Sequence, residues 1–156
     1  MQDKPSGGPG VIALPPMILG AAIALGRILN FFWPTKFLAR SVAVPLGLLI
    51  VAGAITIGIL AVREMRCANT PLDVRKAPTR IVTSGVFQRT RNPIYLGMVL
   101  LCAGIAFLAD SLWLMMIVPL LAVVLQRGVI EPEEFYLEKN FGEDYLRYKE
   151  QVRRWI

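Results

Sequence analysis

Residues 92–126 read NPIYLGMVLLCAGIAFLADSLWLMMIVPLLAVVLQ, a stretch whose one charged residue is Asp110. The aspartate separates charge-free runs of 18 and 16 residues. A bilayer core takes about 20 mostly apolar residues per helical crossing, with a range of about 17–25. At about 1.5 Å per residue, residues 93–109 make a helix of roughly 25 Å, marginal for a core about 30 Å thick. Two short apolar helices with a polar break at Asp110-Ser111 predict a tight helical hairpin. One helix is opened by Pro93 and runs over 93–109; the other runs over 112–130. Asp110 is expected at the hairpin tip or as a cap on the second helix.

Outward from the hairpin, residues 5–26 and 41–62 are also free of charge, 22 residues each, and the four runs together make half of the 156-residue chain. Helices are expected over 11–33, with Pro15 and Pro16 near the start, and over 44–62. The composition agrees: 55% hydrophobic and 18% charged, against about 25% charged in a soluble domain. A disordered chain is excluded, because such chains are poor in apolar residues. The fold class is all-α: a polytopic membrane protein with four transmembrane helices and a cytoplasmic C-terminal amphipathic helix. Arg27 and Asn30 lie one turn apart late in the first helix. Intramembrane polar groups are often functional, but an arginine near a helix end also snorkels to the headgroups. Gly47, Gly53, Ala54 and Gly58 in the second helix are small enough to let helices approach closely.

Charge sets the orientation. Of the 17 Lys/Arg, seven lie in residues 63–91, six follow Gln126 and one is Lys4, whereas the opposite side has only Lys36 and Arg40, with Arg27 set aside. The positive-inside rule then puts both termini in the cytoplasm. The net charge of +6 reads as topology and attraction to anionic lipid rather than nucleic-acid binding, since the basic loop lacks interleaved aromatics. Five segments follow: a flexible N-terminus (1–10) without a cleavable signal pattern, two helices (11–62), a cytoplasmic basic loop (63–92), the hairpin (93–130) and a cytoplasmic C-terminal segment (131–156). The chain has no histidine, which excludes a Ser-His-Asp triad, a Cys-His pair and a His-ligated metal within the chain. Cys67 and Cys102 fit no redox or zinc spacing, and no metal is expected.

Chemistry is left to the two long polar segments, both on the cytoplasmic side. Arg91-Asn92 precedes the proline that starts a membrane helix, and such an end is electropositive with free backbone N–H groups. It could receive a ligand carboxylate, or it could be an interfacial helix start with arginines on lipid phosphates and Tyr95 in the aromatic belt. In the C-terminal segment Leu137, Phe141, Tyr145, Tyr148, Val152 and Trp155 recur every three or four residues. They form the stripe of an amphipathic helix expected to lie in the membrane interface, with Gly142 as a candidate break. Glu131, Glu133 and Glu134 cluster where the last span leaves the bilayer. Facing an anionic leaflet, they call for a cationic partner: Arg89, Arg91 or a positively charged ligand.

The phrases TSGVFQRTRNPIYLG (83–97) and EEFYLEKNFGEDYLRYKEQVRRWI (133–156), in that order around a helical hairpin, resemble the isoprenylcysteine carboxyl methyltransferase family. Its members are integral-membrane enzymes using S-adenosylmethionine, and phospholipid N-methyltransferases are its more distant relatives. The resemblance covers residues 81–156, about half the chain. The family pattern G-x-[FY]-x-x-x-R-[HN]-P-x-Y-x-G falls on Gly85, Phe87, Arg91, Asn92, Pro93, Tyr95 and Gly97. Its glutamate pair falls on Glu133 and Glu134. Eukaryotic members carry histidine where this chain has Asn92, which cannot titrate. Their acceptor-associated arginine has no match, Val129 standing near that position with Arg127 as a neighbour.

The resemblance implies a cofactor pocket between the hairpin's cytoplasmic end and the C-terminal segment. Val82, Phe87, Asn92, Pro93, Ile94, Tyr95 and Glu133 are expected to bind S-adenosylmethionine, and Arg91 and Glu134 to act catalytically as a pair. Glu133 would take the cofactor's ammonium or ribose, and the turn 92–95 its adenine or carboxylate. The implied function is methyl transfer to a lipophilic acceptor, such as an isoprenylcysteine-like carboxylate, which is ionised at pH 7 and needs no general base. Lipid-modified substrates and membrane lipids are the expected partners. Alternatives are a phospholipid amine N-methyltransferase, a tetraspan transporter or channel subunit, and a non-catalytic scaffold.

Overall fold

Pro15 and Pro16 lack amide hydrogens, and Leu14 before them is extended (φ −66°, ψ 127°), so the first helix, α1, begins at the prolines and spans Pro15–Phe32. A computed structural model describes residue 10, residues 12–72 and residues 78–156. Nearly all of the N-terminal segment expected to be flexible, together with Lys4, Arg75 and Lys76 of the charge tally, lies outside the described residues. The described residues are helical, with no strand: α2 is Arg40–Cys67, α3 Pro93–Leu108, α4 Leu112–Leu125, α5 Glu131–Phe141 and α6 Glu143–Gln151. A 3₁₀ turn, Gly85–Gln88, precedes α3, and a π turn, Gln126–Ile130, joins α4 to α5. Among the described residues three helices are long and apolar enough to cross a membrane: Pro15–Phe32, Arg40–Cys67 and the continuous run Leu112–Phe141. Pro93–Leu108 is apolar but shorter.

Several boundaries differ from the sequence expectation. Residues 12–14 are not helical, because the prolines can only open α1. The second helix overruns the apolar run at both ends, since Arg63, Glu64, Met65 and Arg66 continue a helix in water as readily as in lipid. The fourth helix does not end at 130 but passes through the π turn into α5 without a break.

α2 packs along α3, and α1 along α4. Ala43, Gly47, Ala54 and Ala61 are the buried residues of α2. A Cβ on Gly104 of α3 would lie 2.6 Å from Val51 Cγ2 and 3.2 Å from the Gly47 carbonyl, and one on Gly97 would lie 3.2 Å from the Ala54 carbonyl. These glycines set the distance between the two backbones. Gly53, expected in the same contact, faces open space. The core beneath the site contains Tyr95, Cys102, Leu121, Leu125, Val129 and Ile130, with Ile18, Leu19 and Ala22 of α1 against it. The outer faces expose Leu48, Leu49, Ile55, Ile59, Met116 and Leu120, as a lipid-facing surface requires. Cys67 and Cys102 are both free.

Asp110 sits at the hairpin tip in the left-handed region (φ 45°). It does not cap α4. Ser111 does, its Oγ accepting from Leu114 N at 3.3 Å. Asp110 Oδ1 instead accepts from the backbone N–H groups of Phe37 and Leu38, both at 3.1 Å, and so ties the α1–α2 connection to the hairpin. Arg27 is exposed, and Asn30 Oδ1 accepts from Thr35 N at 3.4 Å.

The C-terminal stripe is cut at Gly142 (φ 52°) into α5 and α6. Tyr145, Tyr148 and Val152 of its apolar face are buried against Leu137, Phe141 and Ile81 of the chain itself, whereas Phe135, Leu146 and Ile156 are exposed.

Candidate active site

The site is assembled where two segments far apart in sequence meet. Ser84 Oγ donates to the Glu64 carboxylate of α2, and Gly85 (φ 57°) allows the approach: a Cβ there would sit 2.7 Å from Glu64 Cδ. The 3₁₀ turn that follows buries Phe87, whose carbonyl accepts from Tyr148 OH at 2.7 Å. Residues 90–92 then run against the chain's C-terminal residues. Arg91 N donates to the Arg153 carbonyl at 3.0 Å, and the Arg154 carbonyl accepts from Thr90 Oγ1 at 3.1 Å and Asn92 Nδ2 at 3.0 Å. Pro93 starts α3, which leaves Tyr95 in the first turn facing α5.

The π turn fills the other side. Gly128 lets Ile12 lie on it, with Ile12 N donating to the Gly128 carbonyl at 3.1 Å; a Cβ on Gly128 would be 2.2 Å from Ile12 Cδ1. Such wide turns interrupt α-helices frequently at functional sites. Beyond it, Glu131 is exposed and Glu134 is buried. Glu134 is held by two arginines. Arg91 Nη2 lies 3.2 Å from Oε1, while Arg154 forks across both oxygens, Nε to Oε1 at 3.1 Å and Nη2 to Oε2 at 2.7 Å. The side chains of Arg91 and Glu134 are each only 7% exposed. Nε and Nη1 of Arg91 have no partner among the described residues. Arg154 Nη1 also reaches Glu131 Oε1 at 3.4 Å, and Trp155 Nε1 donates to Gln126 Oε1 at 3.1 Å. The hydrogen bond to Glu134 pushes the Arg154 guanidinium pKa up, against its partial burial. Burial pushes the Tyr145 and Tyr148 phenols well above their ordinary value.

Glu133 points apart from its neighbour. Tyr95 OH donates to Glu133 Oε2 at 2.7 Å. Both glutamates line one cavity of about 470 Å³, within the size range of small-molecule sites, roughly 300–1,000 Å³. Val82, Phe87, Arg91, Asn92, Pro93, Ile94, Tyr95, Glu133 and Glu134, the site residues named from sequence, all lie on its wall. Leu14 just before α1, with Met17 of α1, Val62 and Met65 of α2 and Met98 of α3, makes an apolar flank. Tyr145 and Tyr148 close the side toward α6. Arg127 is exposed and off the wall, so the position near Val129 contributes no arginine. The Asn92 amide is committed to the C-terminal backbone, which gives that residue a structural bond in addition to its place on the wall.

Sequence reasoning missed Arg154 and the aromatic wall of Tyr145 and Tyr148. The tyrosines were visible only as members of an apolar stripe. Arg154 had no spacing to mark it, because its contact with Glu134 depends on how residues 152–155 fold back.

The described residues form a bundle of apolar helices, three of them long enough to cross a membrane, with a cavity that has charged groups on one side of its wall and an apolar flank on the other. The chain belongs to the phospholipid methyltransferase (PEMT) family, which matches residues 42–144 and is a family of membrane methyltransferases that generally use S-adenosylmethionine. The match runs from α2 into α6 and includes Glu133 and Glu134. An uncharacterized protein of Haemophilus influenzae is 45% identical over 65 residues, 40% of this chain and the whole of that protein. No solved structure matches the chain.

Proposed function

We propose that the protein binds S-adenosylmethionine in this cavity and methylates a lipophilic acceptor carrying an isoprenylcysteine-like carboxylate. The observation that carries the reading is the cavity itself: two carboxylates and a buried, incompletely paired arginine at one end, a methionine- and leucine-lined flank at the other. The residues fit the donor's three charged groups. Glu133, steadied by Tyr95, suits the ammonium or sulfonium, and Val82, Phe87 and Ile94 offer apolar surface for adenine. When bound, the donor supplies a sulfonium methyl group for in-line displacement. The wall aligns the reactants and excludes water, effects worth up to about 7–11 kcal/mol in favourable cases. The same reading takes all four apolar helices as crossings, with both ends of the chain and the polar end of the cavity on the cytoplasmic side.

The carboxylate acceptor is favoured by the bases on the wall. Both oxygens of Glu134 are held by arginines, so it is poorly placed to take a proton. A carboxylate needs none: its oxygen bonds to the methyl carbon, the carbon–sulfur bond breaks, and a neutral thioether leaves. A second reading, phospholipid amine methylation, is favoured by the family match. An ammonium acceptor must first lose a proton, and Glu133 would have to receive it.

The test is transfer of labelled methyl by the protein in lipid nanodiscs, offered a prenylated thioether carboxylate or phosphatidylethanolamine. A carboxyl ester releases labelled methanol in base and an N-methyl group does not, so product chemistry separates the two acceptors. Glu133→Ala is expected to abolish transfer. Failure of the wild-type protein to bind S-adenosylmethionine at millimolar concentration overturns the reading.

A further inference from the structure

The Arg91–Glu134–Arg154 cluster holds more positive charge than a pair would need. Arg154 alone satisfies both oxygens of Glu134, at 3.1 and 2.7 Å, while Arg91 keeps a single contact at 3.2 Å and has two buried donors unpaired among the described residues. A buried, unsatisfied charged donor carries the full cost of its desolvation. Arg91 lines the cavity, so an oxyanion arriving there meets a guanidinium whose release costs one contact and strands nothing, because Glu134 stays satisfied.

We propose that Arg154 is a positioning residue that holds Glu134 so that Arg91 can turn from it and bind the carboxylate of a ligand. This rests on the cavity being the methyl-donor site. Without Arg154, Glu134 would keep Arg91 for itself as a closed bidentate pair, and the carboxylate would lose its partner. The carboxylate has two sources, the amino-acid end of the donor or the head of the acceptor, and the two are separable.

The experiment is calorimetric binding of S-adenosylhomocysteine and of its decarboxylated analogue to the wild-type protein, Arg154→Gln, and Arg154→Gln with Glu134→Gln, all in nanodiscs. If the donor carboxylate is the ligand, the wild type prefers S-adenosylhomocysteine by at least about tenfold, the scale of a charge-assisted hydrogen bond. Arg154→Gln shrinks that preference to less than about threefold while the decarboxylated analogue binds as before. The double variant restores it, since no carboxylate remains to capture Arg91; a merely structural role for Arg154 would not be rescued by a second substitution. If the wild type shows no preference between the nucleosides, the same comparison is made with a prenylated thioether carboxylic acid and its amide as competitors of methyl transfer, where the acid preference must vanish in Arg154→Gln and return in the double variant. Equal weakening of both members of a pair, or an undiminished preference in Arg154→Gln, overturns the proposal and leaves the functional reading standing. Absence of nucleoside binding to the wild type overturns both.

Discussion

Replacing Tyr95 by Phe removes one oxygen atom and tests whether Glu133 is a ligand. The tyrosine ring is part of the buried cluster with Cys102, Leu121, Leu125, Val129 and Ile130, and Phe keeps that packing. Its hydroxyl makes the 2.7 Å bond to Glu133 Oε2. A hydrogen bond to a charged group is worth about 1.5–3 kcal/mol net, and the lower end sets the minimum effect. About 1.5 kcal/mol corresponds to roughly a tenfold loss of affinity if the fixed orientation of Glu133 is what the donor's cation recognises. Calorimetry with S-adenosylhomocysteine should show that loss, and thermal unfolding should fall by about 3–6 °C, the scale of 1.5 kcal/mol in a domain this size. Because both side chains act on one ligand, Glu133→Gln and Tyr95→Phe together should cost less than their sum. Unchanged affinity with a lower melting temperature would show that the bond only holds α3 to α5, and the cation site assigned to Glu133 would be wrong.

Gly104→Ala should destabilise the protein by about 1–3 kcal/mol, because its Cβ would meet Val51 Cγ2 at 2.6 Å and the Gly47 carbonyl at 3.2 Å and force α2 away from α3. Gly53→Ala, on a face with nothing nearby, is the control and should stay within about 0.5 kcal/mol; unfolding in mild detergent measures both. Alkaline stability follows from Tyr145 and Tyr148, whose phenols burial pushes above their ordinary value of about 10. The native state keeps protons that the unfolded chain releases, so stability is intact below about pH 10 and falls above it, by up to about 1.4 kcal/mol per pH unit for each phenol. Tyr148→Phe should reduce that slope by about half in unfolding measured from pH 8 to 11.5, while removing the bond to the Phe87 carbonyl.

The apolar helices were legible because a membrane helix announces itself in charge-free runs. Their ends were not, because hydropathy marks where lipid stops and says nothing of where hydrogen bonding stops. Pro15 and Pro16 delayed α1, and the charged but helix-forming residues after Val62 prolonged α2. The π turn at Gln126–Ile130 has no period of its own to read. Asp110 stands at the hairpin tip, one of its two expected places, but the bond it makes there was not legible. A cap is a local bond, whereas its carboxylate closes on Phe37 and Leu38, more than seventy residues away in sequence. The same distinction divides the site. Residues at the positions the family pattern specifies could be named; Arg154 lies within the second motif but at no specified position, and its role depends on the return of the chain across Thr90–Asn92.

Stability does not account for the cluster at the mouth of the hairpin. A buried ion pair is commonly no better for a fold than apolar residues of the same volume, since desolvation consumes the Coulombic gain. Here two cations share one buried carboxylate, Glu131 adds only a long, exposed contact, and two arginine donors remain unpaired among the described residues. The arrangement is locally rigid for the opposite reason. The Arg91 amide and the Thr90 and Asn92 side chains bond the carbonyls of Arg153 and Arg154, and Ser84 bonds Glu64, so the two segments that carry the arginines are fixed side by side while the Arg91 guanidinium keeps its one contact with Glu134. On the proposed reading this is pre-organisation for a charged ligand: the fold bears the desolvation before the ligand arrives, beside a cavity of about 470 Å³. The apolar flank from α1, α2 and α3 would then take the lipophilic acceptor by burying its apolar surface.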